Sequence, residues 1–229
     1  MTIAERWREV TARVAAACER AGRAAADVTI VAVSKTHPAA AIREARAAGA
    51  VDFGENYAQE LAAKAAELAD APALRWHFIG RLQRNKARLV AGHVALIHAV
   101  DSVELAAEIA RRAGAAAQPI LLAVNLGGEA TKGGVTAEGA RALAAAVAGL
   151  AGTSLDGLMT MPPPADDPEA SRPPFAALRA LRDRLADRLG RPLPVLSMGM
   201  SHDFEVAIAC GATHIRIGTA IFGSRAPAA

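Results

Sequence analysis

Residues Pro194–Phe222 read PVLSMGMSHDFEVAIACGATHIRIGTAIF, and this stretch decides the fold. Two short β-type runs, Pro194–Gly199 and Thr213–Gly218, flank an apolar helical stretch that carries Cys210. A strand, a helix and a second strand in about thirty residues is βαβ spacing, which implies parallel strands. Each run ends in a glycine close to a hydroxyl residue: Gly199 near Ser201, and Gly218 beside Thr219.

The same alternation extends back through the chain. Six earlier runs have strand character: Thr29–Ser34, Val51–Gly54, Arg75–Gly80, Ala95–Val100, Pro119–Leu126 and Leu155–Met161. Between them, Ala-, Glu- and Arg-rich stretches place apolar residues three and four apart, as in Ala39–Ala48, Tyr57–Ala69, Ser102–Ala113, Thr136–Leu150 and Phe175–Leu189. Eight strands alternating with helices is the barrel number, and 229 residues suit one such domain of about 250. The fold class is therefore α/β, a single (β/α)8 TIM-type barrel with an extra N-terminal helix over Ala4–Arg20, and residues 1–229 form one domain. A doubly wound sheet is the alternative, but no GxGxxG turn follows the first strand. The N-terminal helix either covers the barrel's end or completes its outer ring. Met161–Pro174, MPPPADDPEASRPP, is too rich in proline for regular helix or strand.

Hydrophobic residues make up 52% of the chain and aromatics only 3%, so the core packs with small and branched aliphatic side chains. The net charge is +3, with no block of like charges, which argues against nucleic acid as a partner. Arg81, Arg84, Lys86 and Arg88 form a basic cluster that reads as a solvated helix face. The two cysteines, Cys18 and Cys210, have no metal-ligand neighbours at close spacing and read as buried free thiols. The first residues lack an apolar signal core, and no run of about 18 apolar residues appears, so the expectation is a soluble, cytoplasmic protein with no membrane partner.

In a (β/α) barrel the chemistry sits at the C-terminal strand ends. Lys35 follows four apolar strand residues at the end of the first strand. A rim ammonium there is partly desolvated, which favours a neutral amine able to attack an aldehyde and form a Schiff base. A rim lysine reaching water along its stem is the alternative. The last two strand ends add weight to the first reading. Gly199 and Gly218 let the backbone approach a ligand, Ser201 and Thr219 add hydroxyl donors, and a short helix from Gly218 would aim N–H groups at an anion. No P-loop, HExxH pair or GxSxG elbow is present.

VAVSKTHP, FGENYAQE, WHFIGRLQRNK, VDS, GLMTM, LSMGMSHDFEVAI and GATHIRIGTAIFG followed by Arg225 occur in this order across nearly the whole chain. Together they resemble the pyridoxal 5'-phosphate (PLP) homeostasis proteins, the YggS/PROSC family, whose fold is similar to the barrel domain of alanine racemase. The resemblance implies a Schiff base between Lys35 and PLP. It also implies phosphate contacts from Ser201, Gly218 and Thr219, a contact from Arg216 to the pyridine nitrogen, and a pocket position for Asn56. Arg81, Arg84 and the glycines of NLGGEATKGG depart from the family's usual residues, outside the expected phosphate cup.

A guanidinium can only donate, so a pyridine nitrogen paired with Arg216 stays unprotonated and makes a weaker electron sink. Racemisation also needs a base on the second face, which in alanine racemase comes from a further C-terminal domain expected to be missing here. The sole tyrosine, Tyr57, is expected to pack beside the pocket. The expectation is a non-catalytic PLP carrier or regulator of vitamin B6, a monomer that serves apo PLP-dependent enzymes. A weak PLP-dependent racemase and a PLP-independent Schiff-base barrel enzyme are the alternatives.

Overall fold

A computed structural model of the chain describes residues 1–71, 74–127 and 133–223. Its eight strands are β1 (Thr29–Val33), β2 (Asp52–Glu55), β3 (Arg75–Phe78), β4 (Leu96–Val100), β5 (Gln118–Ala123), β6 (Thr153–Met159), β7 (Val195–Met200) and β8 (His214–Ile217). All neighbours pair in parallel, and β1 closes on β8 through Thr29–His214 and Val31–Arg216 to complete the barrel. The outer ring comprises α1 (Ile3–Arg20), α2 (Ala39–Ala47), α3 (Ala58–Glu67), α4 (Val103–Arg112), α5 (Ala137–Ala148), α6 (Arg172–Leu189), α7 (Phe204–Ala209) and α8 (Thr219–Phe222). A 3-10 helix, Arg84–Leu89, stands where an α-helix would follow β3.

The N-terminal helix completes the ring. Thr2 and Glu5 form a capping box at its start, satisfying N–H groups that have no partner inside the helix. Its apolar face, Trp7, Val10, Val14 and Ala17, repeats at helical spacing and is buried. This face packs against α2, α7 and α8. With only four residues, α8 is too short to cover the β8–β1 seam, so α1 covers it. Arg13 stacks over Phe204 of α7, 4.8 Å from the ring centre, and pairs with Glu205.

One sequence expectation fails in the segment after β6. Met161–Pro174 was expected to be irregular throughout, but a 3-10 turn spans Pro168–Ser171 and α6 begins at Arg172. Pro173 and Pro174 lie in the first turn, where the missing N–H groups would have had no helical acceptor.

The barrel interior is not simply aliphatic. A column of buried polar side chains runs along it: Asp52, His77, His98, Ser197 and Arg216. Arg75 donates to Asp52 at 2.7 Å, and His77 Nε2 lies 2.9 Å from the other carboxylate oxygen. His77 Nδ1 and His98 Nε2 are 3.0 Å apart, and His98 Nδ1 is 2.8 Å from Ser197 Oγ. A carboxylate only accepts, so His77 must donate to Asp52. With both imidazoles neutral, His98 then donates to His77, and the Ser197 hydroxyl donates to His98. Burial alone would raise the Asp52 carboxyl, but the bonds from His77 and Arg75 outweigh it and hold it below the usual range.

Burial disfavours the charged form of His98 in the column and of His214 beside it. It drives His98 well below the ordinary range, and the neighbouring His77, Arg216 and His214 further disfavour a positive charge there. His214 falls to about 4, again chiefly through burial. The unfolded chain takes up these protons near pH 6.5 and the folded chain does not, so stability rises with pH across this window and is lost on acidification. The unfolding free energy from urea titration is expected to fall between pH 6.5 and about 4, by up to about 3 kcal/mol from His214 alone. His214→Gln should flatten the profile; an equally steep profile in that variant would contradict this account.

Candidate functional site

The strand ends at the C-terminal face surround a cavity of about 510 Å³. All six residues singled out from the sequence line it: Lys35, Asn56, Ser201, Arg216, Gly218 and Thr219. Lys35 sits in the turn after β1, and Asn56 directly follows β2. Ser201 follows β7, while Gly218 caps α8 and Thr219 opens it. Barrel closure sets β8 beside β1, so the hydroxyl-bearing loops and Lys35 adjoin although they are far apart in sequence.

Arg216 points inward from β8 and is 6% exposed. It donates to Ser197 Oγ at 2.6 Å and to the Thr160 carbonyl at 3.0 Å. Burial pushes its guanidinium down to about 10, with Asp203 opposing, so it remains charged at neutral pH. Arg216 is thus the upper end of the polar column and part of the cavity floor. Ser201 Oγ accepts from the Ala220 N–H at 3.4 Å, tying the β7 loop to α8.

The two glycines read as ligand-facing behave differently from each other. Gly199 has φ 92°, and an added Cβ would lie 2.6 Å from Ala207 Cβ; it serves the packing of β7 on α7 and does not line the cavity. Gly218 does line the cavity, yet an added Cβ would meet Val33 only at an ordinary 3.6 Å.

Lys64 forms a second polar cluster beside the cavity. It lies on α3 but turns inward and is 7% exposed. Its Nζ donates to the Ser34 carbonyl at 2.7 Å, Glu55 Oε1 at 2.7 Å and Glu60 Oε1 at 2.8 Å. Ser34 Oγ also donates to Glu55 Oε1. Burial raises the Glu55 carboxyl despite these bonds. Next to Lys35, Thr36 is the one non-glycine residue with positive φ (66°) among the described residues. For a β-branched side chain that conformation costs about 1–3 kcal/mol. The signal for this cluster was present in the sequence as the Glu60–Lys64 pair four residues apart, one helical turn.

Other cavity residues that sequence reasoning did not single out are Asp101, Met159, Met161 and His202. Arg81 stands at the rim, 4.0 Å from Asp101, and Arg84 and Arg88 are exposed. Lys132 and Arg225 lie outside the described residues. Among the described residues no group of histidine, cysteine or carboxylate side chains could hold a metal, and no helix is long and apolar enough to cross a membrane.

A barrel with a lysine after the first strand, facing hydroxyl-bearing loops after the last two, defines a class. The family model described as "Alanine racemase, N-terminal domain" matches residues 10–226. The chain is 50% identical over 226 residues to the pyridoxal phosphate homeostasis protein of Pseudomonas aeruginosa, covering 98% of this chain and 96% of that protein. It belongs to the pyridoxal phosphate homeostasis protein family. PipY of Synechococcus elongatus, solved with PLP bound, superposes with a TM-score of 0.85 at 40% identity, over 97% of this chain and all of that one. Alanine racemase of Corynebacterium glutamicum shares the fold, with a TM-score of 0.69 at 21% identity over 97% of this chain and 61% of that one.

Proposed function

We propose that the chain binds PLP in the cavity at the C-terminal end of the barrel and acts in PLP homeostasis as a carrier. Lys35 is its Schiff-base lysine, and Ser201, Gly218 and Thr219 hold the phosphate. Arg216 meets the ring nitrogen, and Asn56 borders the pocket. The observation that carries this reading is the convergence of these six residues on one cavity. The donor set fits the group: hydroxyls and a charged guanidinium suit an anionic ligand, and a lysine amine suits its aldehyde. PLP, when bound, supplies that aldehyde and an electron-withdrawing ring.

The carrier reading is favoured over an enzyme by the wall facing Lys35. Across the barrel from β1, the residues of β4, β5 and β6 that line the cavity among the described residues are Ala99, Ala123 and Met159, none able to move a proton, and Asp101 beyond the end of β4 is paired with Arg81 at 4.0 Å. Tyr57 is 58% exposed and outside the cavity lining. The protein is a monomer in this reading. Apo PLP-dependent enzymes are the recipients in this reading.

The test replaces both Ser201 and Thr219 by alanine. PLP retention is expected to weaken by about 1.5–3 kcal/mol for each charge-assisted hydrogen bond lost, with the circular dichroism of the barrel unchanged. Unaltered PLP release would count against the phosphate cup. Wild-type protein given D- and L-amino acids should turn over none at an ordinary enzymatic rate, about 1–10³ per second. Such a rate, abolished by Lys35→Ala, would make the protein an enzyme.

A further inference from the structure

We propose that Glu60, acting with Lys64, is a positioning residue for Lys35: the pair clamps the two peptide groups that set the lysine's backbone angles. This inference rests on Lys35 being the PLP anchor. The Ser34 carbonyl belongs to the peptide group before Lys35, and the Thr36 N–H to the one after it. Lys64 Nζ donates to the first at 2.7 Å, and the second donates to Glu60 Oε1 at 2.6 Å. The φ and ψ of Lys35 are fixed by the orientations of these two groups. One helix therefore sets both.

The clamp is rigid in its own right. Glu60 Oε1 accepts from Lys64 as well as from Thr36, so its two arms are tied at 2.8 Å. Glu55 Oε1 holds Lys64 from below at 2.7 Å. On the far side of the turn, His37 stacks on Phe222 of α8 at 5.0 Å between ring centres. Thr36 would not choose its left-handed conformation unaided, and the Glu60 carboxylate is the partner that holds its N–H there. The result is an amine presented to the cavity from a preset backbone, so less freedom is lost when its nitrogen joins an aldehyde carbon and water leaves.

Glu60 suits a test because it is partly exposed near the start of α3, and Lys64 keeps Glu55 and the Ser34 carbonyl when it is removed. Apo-protein prepared with hydroxylamine is mixed with PLP, and the return of the visible lysine-bound band is followed across pH. Glu60→Ala is expected to slow it about tenfold, the effect of one charge-assisted hydrogen bond. Glu60→Gln, which keeps an acceptor for Thr36, should recover most of the rate. In a Lys35→Ala background, Glu60→Ala should leave non-covalent PLP affinity unchanged, because it acts only through the lysine. Equal rates in Glu60→Ala and wild type would overturn the clamp while leaving the anchor intact. Equal loss of PLP affinity with and without Lys35 would reduce Glu60 to a structural role and overturn it too. If wild type itself forms no band, or Lys35→Ala keeps it, the PLP-anchor reading and the clamp fall together.

Discussion

After borohydride reduction, the pyridoxyl group is expected on the one peptide that carries Lys35, and Lys35→Ala is expected to lose the visible band altogether. The chain has only four lysines: Lys35, Lys64, Lys86 and Lys132. Lys64 is the nearest rival by position, but its ammonium already donates to two carboxylates and a carbonyl. Freeing it would leave Glu55 buried without its counter-charge, a cost of several kcal/mol. Lys86 lies in the 3-10 helix after β3 and does not line the cavity. Lys35 does line it, beside the loops that bear Ser201 and Thr219. Some PLP should remain with Lys35→Ala, held by its phosphate and released on gel filtration. Label found mainly on a peptide lacking Lys35 would reject the assignment.

Gly157→Ala is expected to destabilise the barrel by about 3 kcal/mol or more. Gly157 pairs with Val195 across β6 and β7, and an added Cβ would stand 1.8 Å from the Val195 carbonyl oxygen. That oxygen is backbone in a ladder, so relief requires the two strands to part. Gly149→Ala is the matched control. Gly149 has φ −99° at the end of α5, with no atom within 4 Å of an added Cβ. Its replacement should leave stability unchanged or raise it by up to about 1 kcal/mol, through lower entropy of the unfolded chain. Urea midpoints of the two variants decide the matter; similar shifts in both would mean that contact geometry does not govern these sites.

The alternation of strands and helices was legible because each strand is a short apolar run and each helix repeats at three and four residues. Lys35 was legible because it interrupts that pattern at the rim. The loops after β7 and β8 were legible because glycine and hydroxyl residues recur there. What was hidden depends on closure. Asp52, His77, His98 and Ser197 come from β2, β3, β4 and β7, and nothing local marks them as neighbours. The burial of Lys64 was hidden as well, because helical spacing alone does not reveal a carboxylate waiting beneath it. Pro173 and Pro174 argued for irregular chain only until the helix start was placed ahead of them. Gly199 was read as facing a ligand because the sequence does not disclose that α7 presses on the same strand.

The polar column from Asp52 to Arg216 plugs the barrel, and the small cavity at its N-terminal end, about 190 Å³, is separate from the large one. Among the described residues, the large cavity is therefore closed off from the N-terminal end of the barrel by the column and opens at the C-terminal face. A ligand in it therefore has no way through to the opposite end of the barrel. Anything that collects the contents has to meet the rim where Met161 and Arg81 stand exposed.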